Sequence, residues 1–331
     1  MKRVLLMVLV VTIAVSLAFA DWKPTRPITV IVPWSAGGST DSVTRVTTAA
    51  MEPLLGTRFI IVNTPGGAGS IGTNNAWNAK HDGYTWTANA VLDMGKYAVL
   101  GYLNVTHRDW HYFLSIYTPN VLVVNPNTPY QTVEDFVKAL KEHPGEVKIA
   151  SAGVGSGGHV AAEVFADYFG VSYKHIPYAG GNPATVAVVR GEAEANMQFS
   201  IEVADMLRAG KLRALCTLGA KPLYITGYGL IPTIRGWYPD FPDVASYFGL
   251  IIPRDVPKEV IETVTKVFDK AADSPSIKEY ADTHGAVAVK IYGEEADKIV
   301  EEIARRVTWL LYDRGVAPIS PEKFGIPRPE K

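Results

Sequence analysis

Strand-like and helix-like segments alternate along this chain, with glycine-rich turns at the joints, and no other feature restricts its possible folds as much. Ile28–Val32 is a β-branched run that reads as a buried strand, followed by a glycine turn and a helix from about Thr40 to Leu55. Phe59–Val62 reads as the next strand. A second glycine turn leads to a helix through Asn74–Ala79, and Tyr84–Ala88 reads as a third strand. The middle of the chain repeats the plan. Asn120–Val124 is a strand, and Thr132–His143 is a helix with Val133, Phe136, Val137 and Leu140 at helical spacing. Val147–Ala150 and Lys211–Thr217 are strands, with helices over Val160–Phe169 and Ala184–Arg190 between them. Residues 227–243 read as irregular, Phe248–Ile252 as a strand, and Lys258–Ala272 and Ala296–Tyr312 as amphipathic helices. The tail Pro318–Lys331 is expected to lie extended on the surface. This order predicts an α/β fold with a mainly parallel sheet.

Three of the turns carry chemistry: Pro33–Asp41, Pro65–Gly72 and Ser151–His159. Glycine lets the backbone turn tightly and approach a ligand closely. The helix that follows presents unpaired N–H groups and a partial positive charge. Together these features hold an anion without a charged side chain, at the carboxyl ends of strands where α/β ligands collect. Ser39 or Thr40 is expected to cap the first helix and Ser156 to support the third turn. Neither the first nor the third turn contains Lys or Arg, so a carboxylate held there must be held by amides and hydroxyls.

The chain's beginning points to export. Lys2 and Arg3 precede an apolar run from Val4 to Leu17, and Ala18-Phe19-Ala20 fits the small-x-small cleavage rule. Residues 1–20 therefore read as a signal peptide, and the rest as an extracytoplasmic or periplasmic protein long enough for two domains. With 32 Lys+Arg against 33 Asp+Glu, the formal net charge is −1, which offers nothing to nucleic acid or an anionic membrane. The lone cysteine, Cys216, excludes an intrachain disulfide and reads as a small buried core residue.

Read in order, several motifs resemble the solute-binding receptors of the tripartite tricarboxylate transporter family. They are Pro27–Asp41, Val62–Gly72, Asp82-Gly83-Tyr84, Gly155–His159, Pro177–Ala184, Gly210–Leu215 and Phe248–Pro253. The resemblance implies a type II periplasmic-binding fold, two α/β lobes with a ligand cleft between them. It implies a discontinuous first lobe, residues 21–121 plus 221–331, with residues 122–220 as the inserted second lobe. It also implies that the loops holding Trp34, Ser35, Ala36, Gly37, Gly38, Ser39, Thr40 and Asp41, and Ser151, Gly153, Gly155, Ser156 and His159, act as pincers on a ligand carboxylate. Tyr178, Gly180, Gly181, Pro183 and Ala184 would contribute from the second lobe. The partners so implied are a small carboxylate and the membrane permease subunits of a secondary transporter, with the receptor a monomer.

Individual residues carry competing readings. Trp34 suits either a wall over the ligand's carbon chain or a contact between lobes. Asp41, at a helix start and four residues before Arg45, reads as structural. Asn89 and Ala90, and Ser200 and Ile201, are placed at the cleft floor by topology alone. Two G-x-G-x-x-G strings, Gly67–Gly72 and Gly153–Gly158, sit between strand and helix, with Asp93 at about the distance of a ribose-binding acid. Such strings arise easily in glycine-dense loops, and nicotinamide is not normally found outside the cytoplasm, so no cofactor is expected. Ser156 and His159 lack the G-x-S-x-G setting of a hydrolase, and His107 and His111 lack a metalloprotease string and read as solvated surface histidines. No enzyme activity is expected. A sensor subunit presenting the solute to a signalling partner, or an extracytoplasmic enzyme acting on a carboxylate, are the alternatives.

Overall fold

Val30 and Trp86 lie side by side in the first sheet, both fully buried, and they show why this part of the chain folds as it does. β-Branched and aromatic side chains fit a pleated surface covered by helices. The computed structural model describes residues 22–329; the expected export signal lies outside them. In chain order the first segment supplies β1 (Ile28–Val32), α1 (Ser39–Leu55), β2 (Phe59–Asn63), α2 (Ser70–Trp77), β3 (Thr85–Ala90), α3 (Val91–Val99) and β4 (Trp110–Pro119). The second supplies β5 (Val121–Val124), α4 (Val133–Glu142), β6 (Lys148–Ser151), α5 (Gly157–Phe169), β7 (Lys174–Pro177), α6 (Gly181–Val189), β8 (Ala195–Asn196), α7 (Ser200–Arg208) and β9 (Arg213–Thr217). A hairpin, β10 (Leu223–Ile225) with β11 (Gly229–Ile231), precedes β12 (Ala245–Pro253). The chain then closes through α8 (Lys258–Ala271), α9 (Pro275–His284), β13 (Val287–Tyr292) and α10 (Gly293–Asp313).

Two sheets result, ordered β13-β4-β12-β3-β1-β2 and β7-β6-β8-β5-β9. The fold is α/β, but neither sheet is mainly parallel. β1 runs parallel to β2 and β3, whereas β12 is antiparallel to both β3 and β4, and β13 is antiparallel to β4. In the second sheet β6 is parallel to β7 and β8, while β5 is antiparallel to β8 and β9. The chain crosses between the sheets through β4 and β5 and returns through β9 and β12, and each of these four has an antiparallel neighbour. A single residue, Asn120, separates β4 from β5, and β12 returns to lie beside β4. Asn120 is fully buried, and its side chain donates to the Met197 carbonyl at 2.7 Å. Its backbone N–H donates to the Val244 carbonyl, and its carbonyl accepts from Leu218 N–H. Three passes of the chain are thereby tied together where the two sheets meet.

The register of β12 on β4 shifts between Phe248 and Gly249. A Cβ at Gly249 would lie 1.9 Å from the Phe113 carbonyl oxygen, which is backbone and cannot swing aside. Gly249→Ala is therefore expected to destabilise the protein by about 1–3 kcal/mol through overpacking, read as a lowered urea midpoint. An unchanged midpoint would show that the two strands separate freely at this point.

Some expectations are corrected. The tail does not lie extended on the surface: Pro321–Phe324 form a short 3-10 turn, Ile326 is buried, and its carbonyl accepts from the Trp309 indole N–H at 3.2 Å. His107 is not a solvated histidine and does not share a helix face with His111. It is buried in a short 3-10 turn with Nε2 2.8 Å from Glu301 Oε2, while His111 lies on β4. Cys216 is fully buried on β9, where burial pushes its thiol well up. Among the described residues no helix is long and apolar enough to cross a membrane.

Candidate functional site

The first glycine turn is folded by a carboxylate. Asp41 accepts from the Gly37 N–H at 2.9 Å and the Asn63 amide at 3.0 Å, and it pairs with Arg45. Gly37 has φ +77°, a conformation that glycine adopts without strain. Burial works to raise the Asp41 pKa, but Arg45, the Gly37 N–H and Asn63 outweigh it and hold the carboxyl below its ordinary range. Asp41 is thus spent on the loop, and it does not line the cavity that the loop faces.

That cavity lies between the sheets. It measures about 20 Å³, and its wall includes Trp34, Gly38, Ser39 and Thr40 from the first turn and Ser156 and Gly157 from the third. Gly181 adds to it from the start of α6, and Phe248 from β12. This volume has room for roughly one water. The two sides touch directly around it. Ser35 Oγ donates to the Ala179 carbonyl at 3.1 Å, and Ser39 N–H and Oγ reach Glu202 Oε1 at 3.2 and 2.7 Å. The arrangement is a closed one.

Trp34 lies at the cavity and also meets the turn on the opposite side. Its indole N–H donates to Asn89 Oδ1 at 2.8 Å, and Asn89 Nδ2 donates to Tyr97 Oη at 2.9 Å. The fixed ring forms part of the cavity wall and packs against Ala152 of the third turn. The second turn only backs this wall. A Cβ at Gly69 would lie 2.9 Å from the Trp34 ring, so a side chain there would displace it.

In the third turn Ser156 is the N-cap of α5 and accepts from the His159 N–H at 3.4 Å. His159 Nδ1 accepts from the Gly155 N–H at 2.9 Å, and the imidazole stacks on His175 with centroids 4.0 Å apart. Burial first, then His175 and Lys96, push its pKa down to about 3, so the ring is neutral and acts as a brace for the turn. Ser151 is spent locally too, with Oγ 2.6 Å from His175 Nε2 and bonded to Gly153.

Of the residues singled out in the sequence, Trp34, Gly38, Ser39, Thr40, Ser156 and Gly181 come together on the cavity wall. Asn89 stands one bond behind it. Tyr178 Oη turns away toward Glu192 Oε2 at 3.2 Å, and Ser200 Oγ is engaged by Thr118 and the Gly285 carbonyl. Pro183 and Ala184 lie in the first turn of α6, with Ala184 fully buried. The cap of α1 differs from expectation: Gly38 occupies that position and supplies no side chain, and Ser39 is already helical. Its orphan amide is satisfied instead by Glu202 of α7, from the opposite side of the cleft.

Three residues at or behind the cavity wall were not singled out in the sequence, Lys96, Gln198 and Glu202, and Asp93 was weighed there only as a ribose-binding acid. Asp93 and Lys96 form a fully enclosed ion pair on α3, and Asp93 reaches the cavity wall. Lys96 Nζ lies 5.2 Å from the centroids of Trp34 and of Tyr97, within cation–π range. The local signal was an Asp and a Lys three apart in an otherwise apolar helix. Gln198 and Glu202 gave no comparable signal, because their partners are remote in sequence.

The chain matches the family described as "Tripartite tricarboxylate transporter family receptor" over residues 43–316. It is 31% identical over 282 residues to protein BugT of Bordetella pertussis, covering 82% of this chain and 83% of that protein. Among solved structures it is similar to a periplasmic transporter, with 28% identity, a TM-score of 0.82, and 89% and 99% of the two chains covered. A second, a protein of Rhodopseudomonas palustris solved with adipate, has 26% identity and a TM-score of 0.81, with 90% and 100% covered.

Proposed function

This chain belongs to the tripartite tricarboxylate transporter receptor family, and from that premise we propose that it captures a small organic acid between its lobes and delivers it to a membrane permease. The observation that carries the reading is at the start of α1. A helix with no side-chain cap of its own receives a carboxylate, that of Glu202, on the Ser39 N–H and hydroxyl. Amides at a helix start and a hydroxyl are the donors that a ligand carboxylate needs. Ser156 offers a second capped helix start on the facing side. The adipate bound by the similar R. palustris protein makes a dicarboxylate the first candidate.

The boundary between lobes is taken at residues 121 and 221, and residues 1–20 as an export signal, which suits a periplasmic receptor acting as a monomer. The lobes swing apart to admit solute, and ligand contacts present only in the closed form drive the return. The site holds ligand without transforming it: the Ser156 hydroxyl is engaged with backbone and the His159 ring with the Gly155 amide. Nucleophile activation needs the serine and the imidazole in contact.

The test is a thermal-shift and calorimetric screen of mono-, di- and tricarboxylates, adipate included. A binder at 100 times its Kd is expected to stabilise the protein by about 2.7 kcal/mol. Thr40→Ala and Ser156→Ala are each expected to weaken that binder about tenfold or more, the worth of one hydrogen bond to a charged group. Shifts confined to neutral sugars, or unchanged affinity in both variants, would refute this site.

A further inference from the structure

Glu202 occupies the donors at the start of α1 that the receptor reading assigns to a ligand carboxylate. Its Oε1 accepts two bonds from Ser39, and Oε2 accepts from the Gln198 amide at 3.0 Å once that amide is oriented by its own bonds, its oxygen receiving the Ala152 N–H. Gly181 closes the other side, since a Cβ there would lie 2.0 Å from Oε1. The carboxylate is therefore wedged between the starts of α1 and α6, held by donors from both sides of the cleft. With it in place the cavity has room for about one water, far less than any dicarboxylate requires. Ligand and Glu202 need the same donors and the same space.

The geometry points to Glu202 as an internal surrogate for the ligand's carboxylate, a specificity-determining residue that holds the empty receptor closed and must be displaced before cargo binds. The inference rests on the carboxylate-receptor reading above. Glu202 stands in the first turn of α7 on a flexible side chain, so it can leave the pincer without unfolding its helix. Its presence sets a threshold. A solute gains only the difference between its own contacts and those of Glu202, so neutral analogues such as amides and esters, which bond these donors more weakly, fail to evict it. If Glu202 occupies the pincer about nine-tenths of the time, the apparent Kd of a true ligand is raised about tenfold.

Two measurements test this. Calorimetric titration of wild type and Glu202→Gln with adipate, and with the tightest carboxylate of the screen, is expected to show binding tightened about tenfold in the variant. Small-angle scattering of ligand-free protein is expected to show a larger radius of gyration for Glu202→Ala than for wild type, because the Ser39–Glu202 half of the contact across the cleft is gone and only Ser35 with Ala179 remains. Equal or weaker binding by Glu202→Gln, while wild type still binds carboxylates, overturns the surrogate and leaves the receptor reading intact. An unchanged radius of gyration in Glu202→Ala likewise overturns it. If neither protein binds any carboxylate, the receptor reading falls and takes the surrogate with it.

Discussion

Lys96→Met is expected to destabilise the protein by about 3–5 kcal/mol, the usual result of leaving a buried charge without its partner. Lys96 and Asp93 are 0% and 3% exposed and are paired three residues apart on α3. Burial pushes the Lys96 ammonium down and the Asp93 carboxyl up, and each charge opposes the other's loss. Removing the lysine deletes that opposition and leaves the Asp93 carboxyl without its cation, on a cavity wall it shares with Trp34 and a second acid, Glu202. Asp93→Leu together with Lys96→Met is expected to recover most of the loss, because a well-packed apolar pair of similar volume replaces buried ions at little cost or with a gain. Urea denaturation of the two single variants and the double variant closes the cycle. Additive losses would mean that the two groups do not act as a pair. A recovered double variant that binds ligand poorly would separate a binding role of the pair from its role in stability.

Trp86→Ala is expected to cost about 3–5 kcal/mol, the range for truncating a large buried aromatic. Trp86 is fully buried on β3, its ring lies 5.2 Å from that of Phe59, and its indole N–H donates to the Gly83 carbonyl at 2.8 Å. The same core contains Val260, Val264 and Phe268 of α8, so the cavity left behind would loosen the helix that covers the sheet. Trp86→Phe retains most of the packing but leaves the Gly83 carbonyl without this partner, and it is expected to cost markedly less. Equal losses from the two substitutions would assign the stabilisation to the hydrogen bond instead of the ring.

Much of the fold was legible because it is written locally. β1, α1, β2, α4, α8 and α10 fall close to where the sequence placed them, since apolar residues at strand or helical spacing leave little choice. β4 escaped because its aromatic run, Trp110–Pro119, follows no glycine turn, and the antiparallel pairs mixed into both sheets are a property of pairing that one strand does not carry. The same divide runs through the site. Gly38, Ser39, Thr40 and Ser156 were visible because glycine turns before helices advertise themselves, whereas Gly181 came only with the family resemblance. Glu202 was not, because it meets Ser39 across 163 residues of sequence and is an ordinary charged residue until the chain folds.

The clasp formed by Ser35 with Ala179 and by Ser39 with Glu202 has a practical consequence. In a receptor that shuts on its own side chain, shape and occupancy are separate signals. A fluorescent pair attached across the cleft would register shut jaws whether or not cargo lay inside, and would make a poor biosensor. The same pair on the Glu202→Gln background would report capture itself, and the single sealed thiol of Cys216 leaves the surface clear for attaching it.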